Sequence, residues 1–246
     1  MRGSVSPLRT VVLTHRLFVR QLVTKGRVIT LLGLGAITIL AALGVATSDE
    51  VDDPAITMIE VIDRLGLILV VPIVALVFAS ASLGDTREDG TLVYLWLRPM
   101  DRLPIVVGAY LAAITISLPL TVIPLGIAAA AGGATNDGIV ATVVASAVGV
   151  VAYSAVFVLL GLLIKNAIIW GLAYVLVWEG LFAGFSESIG RVAVRGYVRA
   201  LLSNLSDVAL GSTLDTSTAV AAIVCVVVAC VAVLLASVRL NAMDVA

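Results

Sequence analysis

Charge, histidine and catalytic motifs are scarce in this sequence. Charged residues make up 13% of it and aromatics 5%, with His15 the only histidine and Cys225 and Cys230 the only cysteines. No Gly-Lys-Ser/Thr occurs, so the chain has no phosphate-cradling P-loop and cannot by itself bind ATP in the usual way. One histidine and two cysteines in an apolar run exclude a His-rich metal site and a Cys/His nucleophile. Gly-x-Ser-x-Gly and His-Glu-x-x-His are absent as well. Enzymatic function, a resident cofactor or metal, and nucleic-acid binding are therefore not expected. Cys225 and Cys230, five apart, fall on different faces of a helix and imply no disulfide. The basic amino terminus has no short apolar core with a cleavage site, so no removable signal peptide is expected.

What is abundant is apolar. Hydrophobic residues are 61% of the chain and the mean hydropathy is +1.17, a composition foreign to soluble domains. The apolar runs are about 20 residues or longer, the length of membrane-spanning helices rather than barrel strands. An all-α polytopic membrane protein follows. Six spans are expected, roughly 28–47, 65–84, 103–131, 139–164, 167–184 and 218–238. The third and fourth exceed the roughly 30 Å of hydrocarbon and must tilt, bend or protrude. Pro119 and Pro124 offer bend points in the third.

Residues 1–27 hold Arg2, Arg9, Arg16, Arg20, Lys25, Arg27 and His15, and no acid. Arg9, Arg16, Arg20 and Arg27 are spaced to line one helical stripe, with Leu8, Val11, Phe18, Val19 and Leu22 opposite. This spacing predicts an amphipathic helix on the inner membrane surface, ahead of a six-span domain over 28–246.

Lys and Arg also set the orientation. With the amino terminus inside, the inner segments add Arg87, Arg98, Arg102, Lys165 and Arg239, for eleven basic residues. The outer ones hold only Arg64, Arg191, Arg195 and Arg199. Both termini are expected in the cytoplasm, and the protein in the cell membrane.

The longest polar interruption tightly bounded by spans is 85–102. Asp85, Glu88 and Asp89 are placed to begin a helix, where the dipole favours negative charge. Thr86 and Asp89 approximate a capping box. Arg98 falls in the last turn and Pro99 stops it. Leu92, Leu95 and Trp96 would share one face, and Thr91, Tyr94 and Arg98 another. The expectation is a two-faced helix beneath the bilayer.

Residues 185–215 form an outer segment in which Glu187, Arg191, Arg195 and Arg199 recur every four residues. An outer-surface or re-entrant amphipathic helix is expected, its arginines meeting lipid phosphates or an anionic part of a cargo. Glu179, beside Trp178, is the one clear charge inside a span. It either reaches the interface alongside an aromatic anchor or contacts cargo. Arg64 and Glu60, four apart, are spaced to pair.

Glu88-Asp89-Gly90-Thr91-Leu92, then Leu97-Arg98-Pro99-Met100-Asp101-Arg102 and Gly108, resembles the cytoplasmic loop of type-2 ABC exporter permeases. In that family an acidic residue before Gly-Thr-Leu opens a short coupling helix, and a Pro-x-x-Arg turn closes it. This chain keeps Gly90, Thr91, Leu92, Pro99 and Arg102, and departs at Asp101 and Ala109, where Ser and Lys are common. The resemblance implies a bacterial or archaeal permease subunit exporting an amphipathic or lipid-like molecule. It implies pairing with a second permease, a copy or a paralogue. It also implies two cytoplasmic ATPase subunits that bind the ATP and Mg. The loop, with Asp85, Glu88, Asp89, Arg98 and Arg102, and the amino-terminal helix would touch the ATPase. A secondary transporter driven by an ion gradient and a non-transporting membrane assembly protein are the competing expectations.

Overall fold

The fold is a computed structural model that describes residues 6–48, 51–90, 101–179, 191, 193–211 and 214–243. Among the described residues it is all helix. The helices are α1 (Pro7–Leu22), α2 (Lys25–Ala46), α3 (Pro54–Glu88), α4 (Arg102–Ala131), α5 (Asn136–Leu163), α6 (Ala167–Glu179), α7 (Val194–Ser206) and α8 (Thr218–Ala242). Five of them, α2, α3, α4, α5 and α8, are long and apolar enough to cross a membrane. These match the first four expected spans and the last. Of the remaining expected span, 167–184, residues 167–179 form α6, and 180–184 lie outside the described residues.

α5 is the central helix. It packs against α3, α4, α7 and α8, while α1 and α2 lie against α4 and α6 lies against α3. Within lipid, helices associate through close backbone approach at small residues rather than through a hydrophobic drive. α3 supplies Ala79, Ser80, Ala81, Ser82 and Gly84, all buried. Gly84 meets Gly161 of α5, and a Cβ on Gly161 would stand 2.5 Å from the Ser80 carbonyl oxygen. The Ser80 hydroxyl donates to the Leu76 carbonyl at 2.6 Å, so it adds no unpaired donor to this contact.

α3 is not uniform. Residues Ile62–Val70 form a wide π turn, and the Val71 N–H bonds five residues back to the Gly66 carbonyl. Pro72 follows at once and has no N–H to give. The wide turn absorbs the break without ending the helix. Pro119 and Pro124 likewise lie within an unbroken α4, and Pro124 fills the space over Gly35 of α2.

The sequence places a helix start at Asp85, but α3 runs on through Glu88. Thr86 turns backward, donating to the Leu83 carbonyl at 2.9 Å, because Ser82, Leu83, Gly84 and Thr86 are buried in the bundle. Gly90, at φ +68°, ends the helix, with its N–H on the Arg87 carbonyl. Glycine is the residue that enters this left-handed conformation without strain. Asp85, Glu88 and Asp89 thus close one helix rather than open another. Thr91, Leu92, Tyr94, Leu95, Trp96, Arg98 and Pro99 lie outside the described residues.

The amino-terminal stripe also divides. α1 ends at Leu22, and Arg27 belongs to α2. Thr10, Thr14, Phe18 and Leu22 are buried on α4, where Thr14 lies over Gly108 and His15 Nε2 bonds to Thr115 Oγ1 at 3.1 Å. Arg9, Arg16 and Arg20 are exposed. Glu60 and Arg64 pair at 3.3 Å, as their spacing predicts.

Gly161→Ala is expected to lower the stability of the detergent-solubilised protein by about 1–3 kcal/mol, as overpacking does. Gly33→Ala, whose Cβ meets nothing within 4 Å, is expected to leave it unchanged or slightly raised. Thermal unfolding of the two variants side by side checks this.

Candidate functional site

Two buried carboxylates sit within the bundle, each in a π turn; α7 reaches the carboxylate of Asp63 and the backbone of Glu179. Asp63 lies in the π turn of α3 and is 3% exposed. Its Oδ2 accepts from Arg199 Nε at 2.9 Å. Glu179 ends the π turn Tyr174–Glu179 of α6 and is 2% exposed. Its two carboxylate oxygens accept from the hydroxyls of Tyr153 and Tyr174, the latter at 2.9 Å. Arg195 Nη1 donates to the Glu179 carbonyl oxygen at 2.6 Å. Phe157 stacks on Tyr153 with centroids 5.8 Å apart and meets Tyr174 edge-to-face at 6.4 Å.

The local sequence explains the inward turn of α7. Val194, Val198, Leu201 and Leu202 are buried, so this side of the helix seats on α5 and α8. Gly149 of α5 leaves the gap into which Val198 fits. Arg195 and Arg199, one turn apart, then project toward α6 and α3. The expected single ladder is broken, because α7 begins at Val194 and Arg191 precedes it. Arg195 and Arg199 are bonded inside the bundle rather than turned to lipid phosphates. Glu179 is buried within the bundle, although its neighbour Trp178 is exposed.

Charge burial without partners costs several kcal/mol, and here each acid has hydrogen-bond donors. Asp63 Oδ1 and Arg195 Nε nevertheless have no partner among the described residues.

A second cluster lies at the other end of α3 and α6. Asp85 Oδ2 pairs with Arg27 Nη2 at 2.8 Å, and Glu88 Oε1 accepts from the Asn166 N–H at 2.8 Å. Asn166 is left-handed, φ 55°, and starts α6 without a side-chain cap, so Glu88 supplies an acceptor that this helix start lacks. Asp85 and Glu88 are therefore engaged within the chain. Asp89 and Asp101 are exposed, and Arg102 begins α4. A cavity of about 130 Å³ lies at this joint, between Ser80, Gly84 and Glu88 of α3 and Ala167 of α6.

The sequence singles out Glu179, Arg195 and Arg199 but misses Asp63, Tyr153 and Tyr174. Asp63 stands in an acid-rich stretch that reads as an outer loop, and two tyrosines in apolar runs carry no signal by themselves. No known family model matches the chain, and no curated protein does so.

Arg199→Ala leaves Asp63 buried without its cation and is expected to cost about 3–5 kcal/mol of stability. Asp63→Leu combined with Arg199→Leu is expected to recover most of that loss. A double-mutant cycle on thermal unfolding reads the coupling, and equal losses in the single and double variants would contradict the pairing.

Proposed function

We propose that the chain is the membrane subunit of an ATP-driven exporter of the type-2 ABC permease kind, moving an amphipathic or lipid-like molecule. It would work with a second permease and with two separate ATPase subunits that bind ATP and Mg. The observation that carries this reading is the joint at the Glu88 end of α3. The segment 91–100, which holds the Thr-Leu and Pro-x-x-Arg residues, follows closely on a helix end that is clasped to α2 through Arg27 and to α6 through Asn166. α6 in turn carries Glu179 into the bundle. A push on that loop would reach the buried acid through short, stiff connections. The Gly-Thr-Leu and Pro-x-x-Arg pattern of the loop supports the same reading, as does the lack of any P-loop. In this arrangement Asp89, Asp101 and Arg102 are the loop-flanking charges offered to the ATPase, while Asp85 and Glu88 fix the lever to the bundle. Arg9, Arg16 and Arg20 face the membrane surface or the ATPase. Both chain termini would be cytoplasmic, in a prokaryotic cell membrane.

A second reading, an ion-gradient-driven transporter, is favoured by one observation. The described residues hold two deeply buried carboxylates, Asp63 and Glu179, whereas only one is evident in the sequence. Ionisable groups of this kind mark proton relays in pumps and transporters.

Affinity purification from the native host is expected to recover a P-loop ATPase with this chain. Glu88→Lys is expected to preserve membrane insertion and to uncouple ATP hydrolysis from export, measured as hydrolysis and efflux in proteoliposomes. Normal export by that variant would sink the lever. Uptake driven by a pH gradient without any ATPase, abolished by Glu179→Gln, would establish the second reading instead.

A further inference from the structure

Of the three arginines at 191, 195 and 199, two are answered inside the bundle and one is not. Arg195 bonds to Glu179 and Arg199 to Asp63. Arg191 has no carboxylate partner among the described residues and is exposed. It lines a cavity of about 220 Å³ between α5, α6, α7 and α8. The rest of the lining is apolar apart from two tyrosines, with Val156, Val194 and Val228 among it. Both tyrosine hydroxyls are already used. Tyr174 donates to Glu179 Oε1, and Tyr197 donates to the Arg191 carbonyl oxygen at 2.9 Å. The second bond ties the Arg191 backbone to α7 and so holds its guanidinium at the cavity. Among the described residues the cavity therefore offers one cationic fork in a largely apolar lining.

From this we infer that the cavity binds an anionic amphiphile, its phosphate- or carboxylate-type head on Arg191 and its apolar tail between α5 and α8. Guanidinium meets such oxyanions with two parallel hydrogen bonds, and the pair strengthens where water is thin. A cationic amphiphile would face Arg191 without a counter-charge. A neutral one would leave the guanidinium unanswered. The inference rests on the proposed export of an amphiphile and names its charge and its seat. Tyr174 is shared between this cavity and Glu179, so a tail pressed against that ring acts on the buried acid. Occupancy and the α6 lever are thereby in contact.

The test uses the full chain in zwitterionic phosphatidylcholine nanodiscs and a dansyl-labelled dodecyl phosphate as probe. Saturable binding is expected, weakened about tenfold or more in Arg191→Gln and restored in Arg191→Lys. Val228→Phe, which fills the cavity, is expected to abolish it. Arg9→Gln, on the surface helix, is expected to bind as the parent does. A dansyl-labelled dodecylphosphocholine should bind more weakly. Inorganic phosphate should compete only at far higher concentration than unlabelled dodecyl phosphate. Equal binding to Arg191→Gln, unsaturable partitioning, or equal competition by inorganic phosphate would each overturn the inference. Absent binding by a chain that still co-purifies with a P-loop ATPase defeats this inference alone. Saturable binding by a chain that recovers no ATPase defeats the exporter reading alone.

Discussion

The arrangement depends on keeping two carboxylates inside an apolar bundle. A charge at mid-bilayer costs about 2.5–3.5 kcal/mol on insertion scales, so each buried acid requires donors fixed in place. Arg195 and Arg199 can reach α6 and α3 only if α7 packs beside α5 and α8, with Arg-bearing and Val/Leu-bearing sides set apart. Tyr153 must project from the central helix to bond Glu179. Asp63 and Glu179 thus meet Arg199 and Arg195 within the bundle.

The close helix contacts serve the same constraint. Gly84 against Gly161, and Val198 in the gap left by Gly149, bring α3 and α7 near enough to α5 for side chains of ordinary length to converge. At the opposite end the Arg27–Asp85 and Glu88–Asn166 bonds hold α2, α3 and α6 together. The bundle is thus fastened by polar contacts near both ends of α3 and by small residues between them.

Much of this was legible in the sequence. Five of the expected spans coincide with helices to within a few residues at most ends, because runs of apolar residues of bilayer length admit few alternatives. The start of α3 is the exception. The helix begins at Pro54, well before the hydrophobic run, since Asp53 accepts from the N–H groups of Ala55 and Ile56 and caps it. The Asp85 helix start failed for a related reason. Acids beside a Thr read as a beginning, yet the buried small residues before them and the left-handed Gly90 make an end. Arg195 and Arg199 were visible as a charged ladder, but their direction was not. Spacing shows that residues share a face and does not show what that face meets. Asp63 lay hidden among other acids, and only tertiary packing separates it from Glu60, which remains exposed enough to pair with Arg64.

The wide turn at Ile62–Val70 carries a mechanical implication. An α-helix advances by about 100° of rotation per residue, so a one-residue surplus in a turn is a stored rotation. Sliding that surplus along α3 would spin the intervening stretch about its own axis without breaking the helix. Asp63 lies near the start of this stretch, and Pro72 lies just beyond it as a fixed stop. A side chain that now faces Arg199 could in this way be presented to a different neighbour, with the rest of the rod left in register.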